Sequence, residues 1–318
     1  MTTKTSDTPY DLAIIGTGAS GYAASIYASR YNLTNILIGT VAGGQTAEAH
    51  LIQNYPGIIE IEGHTLMNNM KEHAESYNIP IYFDTVTKID GSHGSFTIET
   101  TSGKKYRSKT ILLTIGMKRR KLGIDGEERF LGKGITYCAT CDGPLFKGKT
   151  VAVVGGSDSA NTASLYLSTI ASKVYQIYRK QTLRGEPAWA DRVRGNPAIE
   201  VIYQTNVTST QGTDILENIT LDPPYQGKKT LAVDGLFIEI GAEPDTRLSK
   251  QLDLEHDENN YIQVNAEQKT SVPGIWAAGD ITTNSNYFHQ VVTAVAEGAV
   301  AAQDIYRVLS LGCDGAVS

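Results

Sequence analysis

The sequence predicts an α/β fold of two Rossmann-like three-layer domains, the second inserted into the first. Three observations predict it. A short apolar run near the N-terminus leads into a glycine motif, a helical stretch and another apolar run. The same order returns about halfway along the chain. Each copy is then followed by a series of short strand-like segments. Strand, glycine turn, helix and strand, repeated, is the pattern of a doubly wound sheet.

The first copy opens with Tyr10 to Ile15, YDLAII, and runs into Gly16-Thr17-Gly18-Ala19-Ser20-Gly21. A helical pattern of small residues follows to about Arg30, and then the apolar run Asn35 to Ile38. In such a GxGxxG the first glycine permits a tight turn. The second lets a pyrophosphate approach the backbone, and the third lets helix and strand pack closely. The helix N-terminus adds unpaired N–H groups and positive potential for the phosphates. The acid expected about 20 residues later on an NAD ribose is missing, with Ile38-Gly39-Thr40 in its place. Residues 79–116 then carry the strand-like runs IPIYFD, TVTKID, SFTIET and KTILLTIG.

The second copy opens with Lys149 to Val154, KTVAVV, and Gly155-Gly156-Ser157-Asp158-Ser159-Ala160. A helix-like stretch, Asn161 to Ile170, and a strand, Lys173 to Tyr178, complete it. The pattern is GxSxxA, with Ser157 where the closest-approach glycine normally stands. Arg179, Lys180 and Arg184 follow the strand. Cations there suit the 2′-phosphate of NADP, whereas an acid would suit NAD. They read equally as solvent-facing charges at a strand end. Residues 199–241 repeat the strand-like texture with IEVIYQ, TLAVDG and LFIEIG. Gly116 and Gly241-Ala242-Glu243-Pro244 are the natural crossing points between domains. Two nucleotide-type units in one chain suggest electron transfer between two nucleotides.

With 318 residues the chain has enough length for two cores. Apolar residues are 41% and charged residues 19%, as in a soluble globular protein. The net charge of −6 argues against a nucleic-acid partner. The short basic run Lys118-Arg119-Arg120-Lys121 reads as a solvated loop rather than a phosphate site. No apolar run early in the chain suits a signal peptide, and none suits a membrane span. Val291 to Leu311 is apolar but broken by Glu297, Asp304 and Arg307, which suits a helix packed on a domain. The expectation is a cytoplasmic protein without a disulfide framework. Two of its three cysteines lie in ITYCATCDG, as Cys138 and Cys141, followed at once by Asp142. The pair itself permits a redox dithiol, half of a metal site, or two neighbouring thiols. A zinc site needs two further ligands, and the six histidines show no paired spacing, so no metal is expected. Cys313 reads as a tail thiol without an assigned role.

Taken together, five stretches resemble the low-molecular-weight thioredoxin reductases: GTGASG, AGGQTAEAHLIQNYPG, GEERFLGKGITYCATCDGPLFKGK, LYLSTIASKVYQIYRKQTLRG and TSVPGIWAAGD. The resemblance runs over nearly the whole chain. It implies an FAD domain from residues 1–116 and 243–318, and an inserted nicotinamide-nucleotide domain, 117–242, that carries the dithiol. FAD would take the first glycine motif. Gly279 and Asp280 would lie near its ribityl chain and pyrophosphate, and Gln45, Asn54, His289 and Gln290 near its ring system. Asp280 reads equally as the N-cap of the helix that follows it. Cys138 would be the interchange thiol, Cys141 the thiol beside the flavin, and Asp142 the proton donor and acceptor. As an ordinary turn residue before Gly143, Asp142 would need no such role.

The resemblance further implies a homodimer that reduces thioredoxin or a thioredoxin-like small protein with electrons from NADPH. One dithiol then serves flavin and partner in turn, with hinges expected near Gly116 and Gly241. The chain departs from the family pattern mainly at the nicotinamide end. Gly155-Gly156-Ser157 replaces three glycines, Tyr178-Arg179-Lys180 replaces His-Arg-Arg, and Asn161-Thr162-Ala163-Ser164 stands where a paired glutamate is usual. Near the flavin, His289-Gln290 replaces Arg-Gln. These departures leave room for ferredoxin or another carrier as donor. A flavin dithiol oxidase, or a non-catalytic flavoprotein sensor, would also accommodate these residues.

Overall fold

In the computed structural model, which describes residues 8–312, the chain divides into two compact units. The first unit takes the chain up to Ala47, then Ile52–Lys118, and resumes at Pro244; the second takes Glu48–Leu51 and Arg119–Glu243.

The first unit begins with β1 (Tyr10–Ile15), α1 (Ala19–Arg30), β2 (Asn35–Gly39), α2 (Gly63–Glu75) and β3 (Ile81–Phe83). A meander of β4 (Val86–Ser92) and β5 (Ser95–Thr100) leads into the long β6 (Lys105–Leu113). The chain then leaves through β7 (Met117–Arg119). In the second unit α3 (Glu127–Phe130), β8 (Ile135–Thr136) and the single turn α4 (Ala139–Asp142) precede β9 (Thr150–Val154). They are followed by α5 (Asp158–Ser168), β10 (Lys173–Tyr178), α6 (Pro187–Arg194) and β11 (Ile199–Tyr203). Three antiparallel strands, β12 (Asn206–Gln211), β13 (Asn218–Tyr225) and β14 (Lys228–Ala232), come before β15 (Gly235–Ile238). The return runs through β16 (Ala242–Pro244) to α7 (Arg247–Gln251), β17 (Ile275–Ala277) and α8 (Val291–Leu311).

Each unit holds a parallel sheet, and the strand orders agree except for the fifth strand, which comes last in the chain in the first unit but ahead of the glycine motif in the second. The order is β3-β2-β1-β6-β17 in the first and β11-β10-β9-β15-β8 in the second. Nine residues make β6 long enough for two neighbours on one edge. Its first half pairs antiparallel with β5 and its second half parallel with β17. The fold class read from the sequence is the one observed. The apolar runs become central strands because both faces of a covered parallel sheet need apolar side chains. In β1, Leu12 and Ile14 point into one core with Tyr22, Trp276 and Ile305. Ala13 and Ile15 point into the other with Ile36, Ile111 and Ile275. Burying each large aliphatic side chain contributes about 1.5–3 kcal/mol.

The small residues of α1 let α8 approach closely. A Cβ on Gly298 of α8 would come within 2.2 Å of Ser20 O. The charges that interrupt α8 are used inward. Asp304 accepts Trp276 Nε1–H at 3.0 Å, and Glu297 accepts Gly279 N–H at 2.7 Å. Among the described residues no helix is long and apolar enough to cross a membrane. The basic run is not simply solvated. Arg119 pairs with Glu239 at 3.0 Å and also with Glu48. Cys313 lies outside the described residues.

Candidate functional sites

In the first unit the turn between β1 and α1 is a shaped backbone cradle. Gly16 adopts φ +127°, and a Cβ there would come within 2.1 Å of Thr114 O. A Cβ on Gly21 would meet Gly16 O at 2.1 Å, so these two glycines are required by packing. Gly18 differs: nothing stands within 4 Å of its Cβ position. Gly18 is also the N-cap of α1, with no side-chain cap and no acid in the first turn. The backbone N–H groups there face an open space suited to a pyrophosphate. Ala19 and Ser20 are buried in the first turn, and Ser20 Oγ–H donates to Ala278 O at 3.5 Å. That contact brings Gly279 and Asp280 to the same cradle.

Asp280 has no hydrogen-bond partner among the hydrogen bonds of the described residues. Burial pushes its carboxyl up to about 6. It does not cap a helix, because the N-cap of α8 is Gln290, whose side chain forms a capping box with Thr293. Gln290 Oε1 also accepts Asn54 Nδ2–H at 2.9 Å. Gln45 Nε2–H donates to Met117 O at 2.9 Å. His289 packs its ring 5.4 Å from that of Tyr261. Its Nε2 is buried without a hydrogen-bond partner among the described residues, and burial holds its pKa below the ordinary value. An unpaired carboxyl and an unpaired ring nitrogen, both partly desolvated in one unit, fit a polar cofactor that would complete them.

In the second unit Cys138 and Cys141 are joined as a disulfide. The pair occupies α4, where Cys138 Sγ accepts Cys141 N–H at 3.2 Å. Cys138 is half-buried and Cys141 exposed. Two threonines that no sequence motif singles out organise this turn. Thr136 hydroxyl donates to Asp142 Oδ2 at 2.5 Å and accepts Cys138 N–H at 3.1 Å. Thr140 hydroxyl donates to Glu48 O at 2.8 Å and lies 3.4 Å from Cys138 Sγ. Ahead of them, the Tyr137 hydroxyl donates to Glu127, which also accepts Gly123 N–H at 2.6 Å. Asp142 is thus held by a hydroxyl that also holds the backbone of Cys138.

The second glycine motif keeps the tight turn and carries Ser157 where the first has Gly18. Gly155 has φ +145°, and its Cβ would meet Glu239 O at 2.1 Å. Gly156 lies under the ring of Tyr178, 2.5 Å from its Cβ position. Ser157 is the N-cap of α5 but makes no side-chain cap bond. Ser159 is exposed and Ala160 fully buried. Asp158 Oδ1 accepts Glu186 N–H at 2.7 Å; burial, then Glu186, raises its pKa above the ordinary carboxylate value. Arg179, Lys180 and Arg184 are all exposed. The backbone of Arg184 is docked on the motif, through N–H to Gly156 O at 2.5 Å. Behind the motif, burial pushes Glu239 up to about 7 against the opposing pull of Arg119.

Over residues 10–298 the chain matches the family described as pyridine nucleotide-disulphide oxidoreductase. A thioredoxin reductase from Treponema pallidum is 40% identical over 299 residues, covering 93% of this chain and 96% of that protein. Among solved structures, the Lactococcus lactis thioredoxin reductase in its FR conformation has a TM-score of 0.88 at 32% identity. The T. acidophilum thioredoxin reductase has a TM-score of 0.87 at 35% identity. Each alignment covers 94% of this chain and 98% of the other.

Proposed function

We infer the function from one premise: the chain belongs to the pyridine nucleotide-disulphide oxidoreductase family, as a flavoprotein oxidoreductase of the thioredoxin reductase kind. On that premise it reduces the disulfide of thioredoxin or a thioredoxin-like small protein. The first unit holds FAD and the second a nicotinamide nucleotide, NADPH. The observation that carries the reading is the Cys138–Cys141 disulfide with Asp142 held against it through Thr136.

When bound, FAD supplies a two-electron carrier between the donor and the dithiol. In the first cradle the N–H groups at Gly18 and Ala19 would face the pyrophosphate, and Asp280 would meet hydroxyl donors of the ribityl chain. The reduced dithiol then acts by exchange. Cys138 Sγ, as thiolate, attacks one sulfur of the partner's disulfide, forming a mixed disulfide and releasing the other sulfur as thiolate. Cys141 Sγ next attacks Cys138 Sγ, which frees the partner's remaining sulfur and restores the Cys138–Cys141 bond. The two protons lost by the dithiol end on the partner's two sulfurs. Asp142 Oδ2, in hydrogen-bond contact with Thr136, is the carboxylate placed to hold one of them in transit.

Because one dithiol serves two reactants, the reading includes a turn of the second unit about Gly116 and Gly241. Both have positive φ, +63° and +89°, with nothing within 4 Å of a Cβ. A cytoplasmic homodimer belongs to the same reading. Cys138→Ser is the deciding variant. It should keep bound FAD and lose thioredoxin reduction by at least about a thousandfold, the scale of removing a nucleophile. Turnover near the unmodified level would sink the assignment.

A second reading keeps the flavin and dithiol but takes electrons from ferredoxin or another carrier. Ser157 in place of the closest-approach glycine, and Asn161-Thr162-Ala163-Ser164 in place of the paired glutamate, favour it. Anaerobic titration separates the two: NADPH bleaches the flavin band in the first, and only dithionite or reduced ferredoxin does so in the second.

A further inference from the structure

Just ahead of α8 the backbone runs against the preference of L-amino acids. Ser285, Asn286 and Tyr287 have φ of +50°, +53° and +56°, three successive residues in the left-handed region and none of them glycine. There a side chain crowds its own backbone, so single residues visit the region and runs do not. Such a run persists only where its surroundings over-determine it. This one is fastened at both ends. Ser285 Oγ–H donates to Glu297 Oε1 at 2.5 Å, and the Tyr287 hydroxyl donates to Asp257 Oδ2 at 2.9 Å.

The first fastening uses a buried carboxylate that also serves the glycine cradle of the same unit. Glu297 is only 6% exposed. Its other oxygen, Oε2, accepts Gly279 N–H at 2.7 Å and the Thr282 hydroxyl at 3.3 Å. Gly279 in turn packs on the first turn of α1, where its Cβ would come within 2.8 Å of Ser20 Oγ. Glu297 thus joins the cradle, at Gly279, to the left-handed turn, at Ser285. The far end of that turn bears on His289. One ring, Tyr261, packs against both Tyr287 at 5.2 Å and His289 at 5.4 Å. His289 N–H also donates to Tyr287 O at 3.1 Å. The placing of the His289 ring therefore follows from the turn, and its Nε2 is left for a partner that the described residues do not supply.

We propose that Glu297 is a positioning residue of the flavin site: one oxygen sets the Gly279–Asp280 backbone, and the other, through Ser285 and the left-handed turn, sets the His289 ring. The proposal rests on reading the first unit as the FAD site with His289 beside the flavin ring system. A hydrogen-bonding group at the edge of a flavin shifts the balance between its oxidised and reduced forms. Ser285 then acts on that balance through the shape of the turn alone, while the cradle and the Gly279 hydrogen bond stay as they are.

Ser285→Ala and Ser285→Gly separate the hydroxyl from the shape it enforces. Both lose the bond to Glu297, but glycine takes a positive φ without strain and alanine does not. Dye-equilibrated titration of the FAD-loaded protein should find the Ser285→Ala potential displaced in the same direction as that of His289→Ala. The displacement should be at least about tenfold in the two-electron equilibrium, or about 30 mV. Ser285→Gly should stay within about threefold of the unmodified protein, and both serine variants should keep FAD affinity within about threefold. Glu297→Ala should show a displaced potential together with FAD binding weakened at least about tenfold. Glu297→Gln should restore both, because its amide oxygen still accepts Gly279 N–H and its amide nitrogen faces Ser285 Oγ. Circular dichroism verifies folding, and the serine pair decides the matter if Glu297→Ala does not fold. An unshifted potential in Ser285→Ala or His289→Ala overturns the proposal, as does a shift in Ser285→Gly equal to that in Ser285→Ala. Absence of FAD from the unmodified protein would overturn it together with the function reading, on which the Cys138→Ser variant reports independently.

Discussion

The two glycine motifs sit at equivalent places in their sheets, each after a central strand, β1 or β9, and differ in the residues of the turn. At Gly18 the second glycine of the first motif faces open space, and α1 begins without an acid. At the matching place of the second motif stand Ser157 and Asp158, under the Arg184–Glu186 loop. The structural glycines are alike, with Gly16 and Gly155 each packed against a carbonyl from the chain beside the motif. What differs is the pair of residues a ligand would touch. Topology therefore places both turns, while the side chains at Ser157 and Asp158 set the second apart from the first.

The largest effect should come from closing the open cradle. Gly18 has φ −90° and ψ −170°, an extended conformation open to any residue, so Gly18→Val costs the fold little. Its side chain would fill the space that the pyrophosphate needs. Purified Gly18→Val should be nearly colourless, with FAD affinity lowered at least about a hundredfold, or about 2.7 kcal/mol. Apo-protein stability should change by no more than about 1 kcal/mol. Full retention of flavin in this variant would break the comparison, because the open space would then have no bearing on the ligand.

A smaller effect concerns the acid that does belong to the first cradle. Asp280 lies past Gly279 and has no hydrogen-bond partner among those of the described residues, whereas Asp158 is bonded to the loop over its helix. Burial raises its pKa from 3.8 to about 6. A carboxyl raised on folding contributes stability that is full below about pH 4 and is lost as pH rises through about 6. The rise of roughly two units sets a ceiling of about 3 kcal/mol, and its partial exposure lowers the expectation to about 1–2 kcal/mol. Urea unfolding of the apo-protein should find Asp280→Asn more stable than the unmodified chain at pH 7 and equal to it at pH 4. Equal stability at both values would show that Asp280 is adequately solvated without the cofactor.

Both cradles and the dithiol were legible in the sequence because each is local. A strand, a turn and the start of a helix occupy some twenty consecutive residues, and their residue types follow from backbone geometry. The features that escaped depend on distance or on weak patterning. The strands β12 and β13, NVTSTQ and NITLDPPY, bury only a few apolar residues while most of the rest are polar or proline. Such half-buried strands carry little apolar signal. Arg119 looked solvated within a basic run because its partner Glu239 lies 120 positions away. The reading of Asp280 as a helix cap failed because ten residues separate it from the true cap, Gln290. Thr136 was close to the dithiol in sequence, yet nothing in a lone threonine says that it bridges Asp142 and the backbone of Cys138.

The smallest effect separates room from charge in the second cradle. Ser157 makes no side-chain cap bond, so Ser157→Gly removes no hydrogen bond from α5. The cost to the helix should be a few tenths of a kcal/mol, as expected for glycine at an N-cap. The change restores the closest-approach glycine but leaves the Asp158 carboxylate and the loop in place. NADP⁺ binding should therefore tighten only about two- to threefold, or roughly 0.5 kcal/mol. A gain of about tenfold or more from Ser157→Gly would reverse the ranking. Steric room at the turn, rather than charge at the helix, would then be what distinguishes the two motifs.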